Sequence, residues 1–288
     1  MTGLPADLIP LTHGISPAGP STPPMIPQLG LGTYKVVDDD AEHVVLAALE
    51  LGYRHIDTAQ MYGNEAGVGR ALAASRLQRE ELFVTSKLDN PNHRRDDALR
   101  SLDATLDALG LDFLDLFLVH WPLAMSAGID LVDTWRTMIK ILDSGRVRAI
   151  GVSNYTAEHL HRITEATGVV PAVNQVELHP WLTQESLRSI HERLGIVTQS
   201  WSPLGRGQVL QDPVVVQIAQ DLKVSPAQVV IRWHLQKGFV VIPKSVHSDR
   251  IRTNGDVFGF TLTQEQVAAI DALDRGQRTG SHPDRVQV

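Results

Sequence analysis

The 288-residue sequence predicts an α/β fold, a (β/α)8 barrel with an N-terminal hairpin and extra external helices. Three observations carry that expectation. Eight strand-like runs, at 28–32, 54–56, 82–86, 114–119, 147–152, 172–176, 196–200 and 240–242, alternate with amphipathic stretches of helical length. The connections are short, so each helix returns the chain for another parallel strand. Three consecutive strands end in residues that are costly to bury, Asp57, Lys87 and His120, on the side where the loops of a TIM barrel carry chemistry. A doubly wound open sheet is the competing arrangement of the same pattern.

Residues 1–25 are rich in Pro, Gly, Ser and Thr, with one candidate strand at 8–12. They read as a frayed end with an external hairpin, or as disorder, ahead of a single barrel domain over 26–288. The helix at 39–51 gathers Val44, Val45, Ala48 and Leu49 on one side, and the strand at 54–56 emerges from it. Gly63-Asn64 halts the next loop before a helix that opens at Glu65. A third helix, 94–109, repeats Leu99, Leu102, Leu106 and Leu109, and another spans 156–166. Helical material at 225–236 and 263–273 is expected to pack outside the barrel. No internal repeat or Gly/Ser linker divides the chain.

A net charge of −7 gives no broad basic surface for nucleic acid. The apolar runs are strand-sized and the start lacks a secretory pattern, so no membrane association and a cytoplasmic location are expected. With no cysteine, a thiohemiacetal route to aldehyde oxidation and a cysteine-ligated catalytic zinc are both impossible. There is no Tyr-x-x-x-Lys pair, no phosphate-loop Gly-Lys-Ser/Thr, no complete Gly-x-Gly-x-x-Gly and no His-Glu-x-x-His.

In a parallel barrel the ends of strands two, three and four are neighbours, so Asp57, Lys87 and His120 can converge with Tyr62 above them. A buried Asp and Lys need each other. The ammonium also favours the ionised form of any phenol it reaches, which would draw Tyr62 below its reference pKa of about 10. Singly, each residue has an ordinary reading: a turn former, a packed ring, a solvated ammonium, a structural histidine before Trp121-Pro122. Their coincidence at consecutive strand ends points to chemistry. Lys244 and Arg250, six residues apart and entering a helix after Pro243, make a natural anion site in an acidic protein, although alone they would read as a solvated basic turn.

These residues lie within motifs that resemble the aldo-keto reductase superfamily: His55-Ile-Asp-Thr-Ala, Tyr62-Gly-Asn-Glu65, Ser86-Lys87-Leu88 and His120-Trp-Pro122. Gly30-Leu-Gly-Thr33, the stretch 140–154, Asn174-Gln-Val-Glu-Leu-His-Pro180, Ser202-Pro-Leu-Gly205 and Ile242-Pro-Lys-Ser245 extend the resemblance over residues 25–283. The segment 275–284 and Gln199-Ser-Trp-Ser-Pro203 are most like the bacterial branch containing 2,5-diketo-D-gluconate reductases. The resemblance implies an NADPH-dependent oxidoreductase acting on CH-OH groups, in which Tyr62 is the general acid of carbonyl reduction, Asp57 and Lys87 tune it, and His120 orients the carbonyl. It puts NADPH contacts on Thr33, Ser153, Asn154, Gln175, Trp201, Ser202, Leu204, Lys244, Ser245, Val246, Arg250 and Asn254. Thr253 departs from the Glu or Gln common there. No metal is implied, and a monomer is the family's default.

Two further departures bear on substrate. Lys87-Leu-Asp-Asn90 and Gly32-Thr-Tyr34 stand where many members carry Trp, so Tyr34, Trp121 and Asp89 are expected to line a small, polar mouth. The fifteen residues after Leu273 are too few for the long loop that closes over steroids in other members. Small aldehydes, ketones, α-dicarbonyls or keto sugars are the expected substrates. The competing readings are a catalytically idle, NADPH-binding regulatory barrel and a lyase or isomerase using Asp57 and His120.

Overall fold

The computed structural model describes residues 4, 7–16, 22–124, 126 and 128–286. Eight parallel strands follow one another in chain order: β3 (Leu31–Gly32), β4 (His55–Asp57), β5 (Phe83–Leu88), β6 (Leu114–Val119), β7 (Val147–Ser153), β8 (Val173–Glu177), β9 (Val197–Trp201) and β10 (Val240–Val241). The ring closes between its first and last members. Leu29 bridges Val241 in parallel, Gly30 N–H donates to Val241 O at 2.9 Å, and Val241 N–H donates to Gln28 O at 2.7 Å. All six residues of β5 and of β6 are buried, as strands covered on both faces must be.

The hairpin pairs β1 (Leu8–Pro10) with β2 (Met25–Pro27), antiparallel. It is shorter than the predicted run 8–12, because Leu11 turns inward instead of continuing the strand, and its second arm crosses the expected boundary at 25/26. Leu11 and Ile26 pack with Phe83, Leu116, Leu118, Ala149, Val173 and Val240, so the hairpin plugs the lower end of the barrel. Gly14 holds this plug in place. Its carbonyl accepts from Ile150 N–H at 2.7 Å, its φ is +54°, and a Cβ there would stand 2.7 Å from Ile150 O. The remainder of the predicted tail, 1–3, 5, 6 and 17–21, lies outside the described residues.

The outer layer is helical. Helices α1 (Asp38–Glu50), α2 (Glu65–Ala74), α3 (Arg95–Leu109), α4 (Leu131–Asp143), α5 (Ala157–Thr167) and α6 (Glu185–Leu194) return the chain between successive strands. Their buried faces are those the spacing marks, such as Val44, Val45, Ala48 and Leu49 on α1. Between β9 and β10 there are two, α7 (Pro213–Leu222) and α8 (Pro226–Gln236). Here the structure departs from expectation: α8 lies against β10 as the return helix, and α7 is the added layer outside it. The β-branched opening Val214-Val-Val216 hides α7 in the sequence, whereas Asp212, which accepts from Val214 N–H, and Pro213 start it in space. Helices α9 (Ser248–Gly255) and α10 (Gln264–Asp271) follow β10. No helix among the described residues is long and apolar enough to cross a membrane.

Candidate active site

The upper rim of the barrel collects the polar strand ends. Asp57 closes β4, Lys87 lies near the end of β5, and His120 follows β6 directly. Lys87 has no exposed side-chain surface; its Nζ donates to Asp57 Oδ1 at 2.5 Å and to Thr58 O at 2.9 Å. The other carboxylate oxygen, Oδ2, accepts from Gln175 Nε2 at 2.7 Å and from Gln199 Nε2 at 3.3 Å. One carboxylate thus binds side chains of β5, β8 and β9 across the barrel lumen.

Tyr62 ends a 3-10 turn, Gln60–Tyr62, that Gly63 terminates at a φ of 64°. The loop is held by Asn64, fully buried, which donates to Thr33 O and Val36 O at 3.0 and 2.8 Å and accepts from Thr58 Oγ1 at 2.8 Å. This anchoring brings the Tyr62 ring to 5.6 Å from the His120 ring, nearly edge-on, with Lys87 Nζ 5.2 Å from the phenol ring centre. Tyr34 packs on the outer side, 5.2 Å between ring centres. The four residues at the consecutive strand ends and the loop above them therefore meet.

Their protonation states follow from burial. Desolvation, helped by Asp57 and Tyr34, holds the Tyr62 phenol well above its usual range. The expectation that Lys87 lowers it is not met, because the ammonium is paired at 2.5 Å with Asp57. Burial pushes the Lys87 ammonium itself down against the pull of Asp57. Burial, then the charges of Lys87 and His93, holds His120 well below the ordinary imidazole range. The rim therefore presents a neutral phenol and a neutral imidazole above a buried ion pair.

A cavity of about 210 Å³ opens over this group. Thr33, Tyr34, Asp57, Tyr62, His120, Trp121, Ser153, Asn154, Gln175, Trp201, Ser202 and Lys244 line it, as do Met61, Arg206, Gly280 and Ser281, which sequence reasoning did not single out. Lys87 lies beneath the lining. Asp89 is not on the wall: its carboxylate turns to accept from Asn90 N–H at 2.7 Å, capping the turn that follows β5. Larger clefts exist, one of about 460 Å³ behind the C-terminal segment, but none of them gathers these groups.

On one side of the cavity the polar groups are pre-set. Ser153 Oγ donates to Gln175 O at 2.8 Å, and Trp201 Nε1 donates to Asn154 Oδ1 at 2.8 Å. Asn154 and Ser202 hold left-handed backbones, with φ of 65° and 48°, strain of order 1–3 kcal/mol each that the surrounding bonds must sustain. Lys244 is pushed down by partial burial and by Lys35, a neighbour the sequence did not flag, and neither lysine pairs with a carboxylate among the described residues. Ser245, Val246, Arg250 and Asn254 continue from Lys244 into α9, outside the cavity lining, and Leu204 sits in the turn after β9. Ser245 Oγ accepts from His247 N–H at 3.1 Å in that turn, Arg250 is exposed and Asn254 is buried.

Residues 28–275 match the model of the Aldo/keto reductase family. An aldo-keto reductase of Mycolicibacterium smegmatis is 49% identical over 258 residues, 90% of this chain and 93% of the relative. The 2,5-diketo-D-gluconic acid reductase B of a Corynebacterium species is 49% identical over 256 residues, 88% of this chain and 92% of that protein. Among solved structures, a mutant of Gox0644 in complex with NADPH superposes with a TM-score of 0.89 at 43% identity, covering 98% of this chain and 99% of that one.

Proposed function

Since the chain belongs to the aldo/keto reductase family, and is thus an oxidoreductase with NADPH as its cofactor, we propose that it reduces small aldehydes, ketones, α-dicarbonyls or keto sugars to alcohols, with Tyr62 as general acid. The single observation that carries this reading is the meeting of two neutral proton donors, Tyr62 and His120, ring centres 5.6 Å apart, over the buried Lys87–Asp57 pair.

The donor set fits the cofactor. Trp201 offers an aromatic surface, Ser153, Asn154 and Gln175 offer hydroxyl and amide groups beside it, and Lys35 and Lys244 are cations without a carboxylate partner among the described residues. Ser245, Arg250 and Asn254 extend the same side along α9 toward where a longer ligand would lie. Bound NADPH supplies a hydride to the carbonyl carbon.

As that carbon gains an electron pair, charge collects on the carbonyl oxygen, and groups that bind this charge better than they bind the ground-state carbonyl lower the barrier. The Tyr62 O–H gives its proton to the oxygen, which becomes the alcohol hydroxyl. His120, neutral, donates a hydrogen bond to the same oxygen and sets its direction. A phenol held above its usual range keeps its proton until the oxygen is basic enough to take it, and the resulting phenolate lies beside the Lys87 ammonium. Asp57 keeps that ammonium charged and in place. In alcohol oxidation the phenolate would act as base. The set is complete within one chain, so a monomer would suffice for the reaction.

Consumption of NADPH on adding methylglyoxal to the purified protein, and its loss in Tyr62→Phe with cofactor binding retained, tests the reading. A Tyr62→Phe protein with ordinary turnover would refute the assignment of the acid.

A further inference from the structure

The C-terminal segment folds back across the mouth of the cavity. Arg275 and Gln277 donate backbone N–H bonds to Trp181 O at 3.3 and 3.0 Å, the Arg275 guanidinium covers the Trp181 ring at 3.7 Å, and Asp284 reaches His159 at 3.5 Å. Between these outer anchors the segment is held by Glu177 at the end of β8. Glu177 Oε1 accepts from Thr279 N–H at 2.6 Å, from Thr279 Oγ1 at 2.7 Å and from Gly280 N–H at 3.0 Å, while Arg278 stands 3.6 Å from Oε2. The carboxylate has no exposed surface, and carbonyl reduction as described above does not use it.

Its position couples the segment to the site. Glu177 is in register with Trp201 on β9, and Gly280 lies so close to the Trp201 ring that a Cβ would stand 2.4 Å from Cη2. Gly280 and Ser281 are themselves cavity wall. With the segment down, the wall on this side is a bare backbone and one hydroxyl, which suits a short carbonyl compound bearing neighbouring oxygens and excludes a bulky one.

We propose that Glu177 is a positioning residue, a carboxylate latch that holds residues 278–281 over the cavity and thereby sets the preference for compact polar carbonyls. The specificity half of this inference rests on the carbonyl-reductase reading; the latch itself does not. Three hydrogen bonds from the segment reach one ionised oxygen, which His179 Nε2 also approaches at 3.3 Å; such bonds are strong because the acceptor is charged, and an amide in its place accepts the same bonds less strongly.

The test compares the full chain with Glu177→Gln, which keeps the shape and removes the charge, and with Thr279→Val, which removes one donor from the segment. Two readouts are taken: kcat and KM for methylglyoxal and for a ketosteroid at saturating NADPH, and amide hydrogen exchange along 275–286. In Glu177→Gln the methylglyoxal KM should rise about tenfold with kcat within about twofold, the ketosteroid's kcat/KM should hold or rise, and the Thr279 and Gly280 amides should exchange at least about tenfold faster while β8 stays protected. Thr279→Val should move both readouts the same way by a smaller factor. Amides that remain protected in Glu177→Gln would overturn the latch, and kcat/KM values falling in equal proportion for both substrates would reduce Glu177 to a structural residue. If the unmodified protein reduces no carbonyl, the functional reading fails, and the exchange measurement still decides whether Glu177 holds the segment.

Discussion

Lys87→Met removes one ammonium that has no exposed surface. In the intact protein Nζ donates to Asp57 Oδ1 at 2.5 Å and Thr58 O at 2.9 Å. Without it, Oδ1 loses its cation, and the two amide donors that remain, Gln175 at 2.7 Å and Gln199 at 3.3 Å, both serve Oδ2. Breaking a buried pair from one side costs roughly 3–5 kcal/mol, because the surviving charge stays buried. For a protein of this size that corresponds to a fall in Tm of order 10 °C. Adding Asp57→Asn to Lys87→Met removes the stranded charge and should restore at least half of the lost stability, while turnover stays abolished in both. Thermal melts of the two single variants and the double, run beside NADPH oxidation assays, separate the contributions. A Lys87→Met protein that melts with the parent, or a double variant no more stable than the single, would refute the reasoning.

Tyr62→Phe should lower kcat by on the order of 10²-fold or more and leave NADPH affinity within about twofold, since the proton is given only in the transition state; single-turnover kinetics and cofactor titration check this. NADPH should be preferred to NADH at least about tenfold in kcat/KM, charged contacts being worth roughly 1.5–3 kcal/mol each, and Arg250→Ala should narrow the gap by weakening NADPH alone. Hydrogen bonds from His179 and Thr279 outweigh burial and bring Glu177 from 4.5 down to about 2, so its ionised form stabilises the fold above the unfolded value and that stabilisation is lost as the pH falls from 4.5 through about 2; the stability difference between the parent and Glu177→Gln should shrink over that window in denaturant melts. Across methylglyoxal, phenylglyoxal, a diketo sugar acid and a ketosteroid, kcat/KM should be lowest for the ketosteroid, and a ketosteroid at the top would overturn the account of the cavity.

The barrel was legible because its signals are local. A strand buried on both faces is rich in apolar residues, so β6, apolar but for Asp115, declares itself, and a charged residue at a buried strand's end is costly enough to stand out. That is why Asp57, Lys87 and His120 could be placed on one rim from spacing alone. Asn64 looked like a turn former, and only the fold shows that its amide fastens the Tyr62 loop to Thr33 and Val36. Asp89 and the C-terminal segment failed for related reasons. A carboxylate beside a strand end can face the cavity or cap the next turn, and the choice depends on backbone direction. Gly280 becomes a wall only through Glu177, about a hundred residues earlier in the chain. The Tyr62 protonation state differs from the expectation because burial of the phenol, which spacing does not reveal, outweighs a Lys87 charge already paired with Asp57.

The three side-chain bonds of Asp57 make the floor of the cavity a tie-rod. Its carboxylate draws staves 30, 118 and 142 residues away in sequence to a single point in the lumen. A barrel that flattens along one diameter must stretch at least one of those bonds, so distortion of the cross-section would show first as lost turnover, before any helix leaves the outer layer. The same rod lets the rim loops vary. Because Asp57 and Lys87 stand on the staves, the loops around the mouth, apart from the one that carries Tyr62 and its Asn64 anchor, can exchange residues, and with them substrates, without loosening the pair beneath.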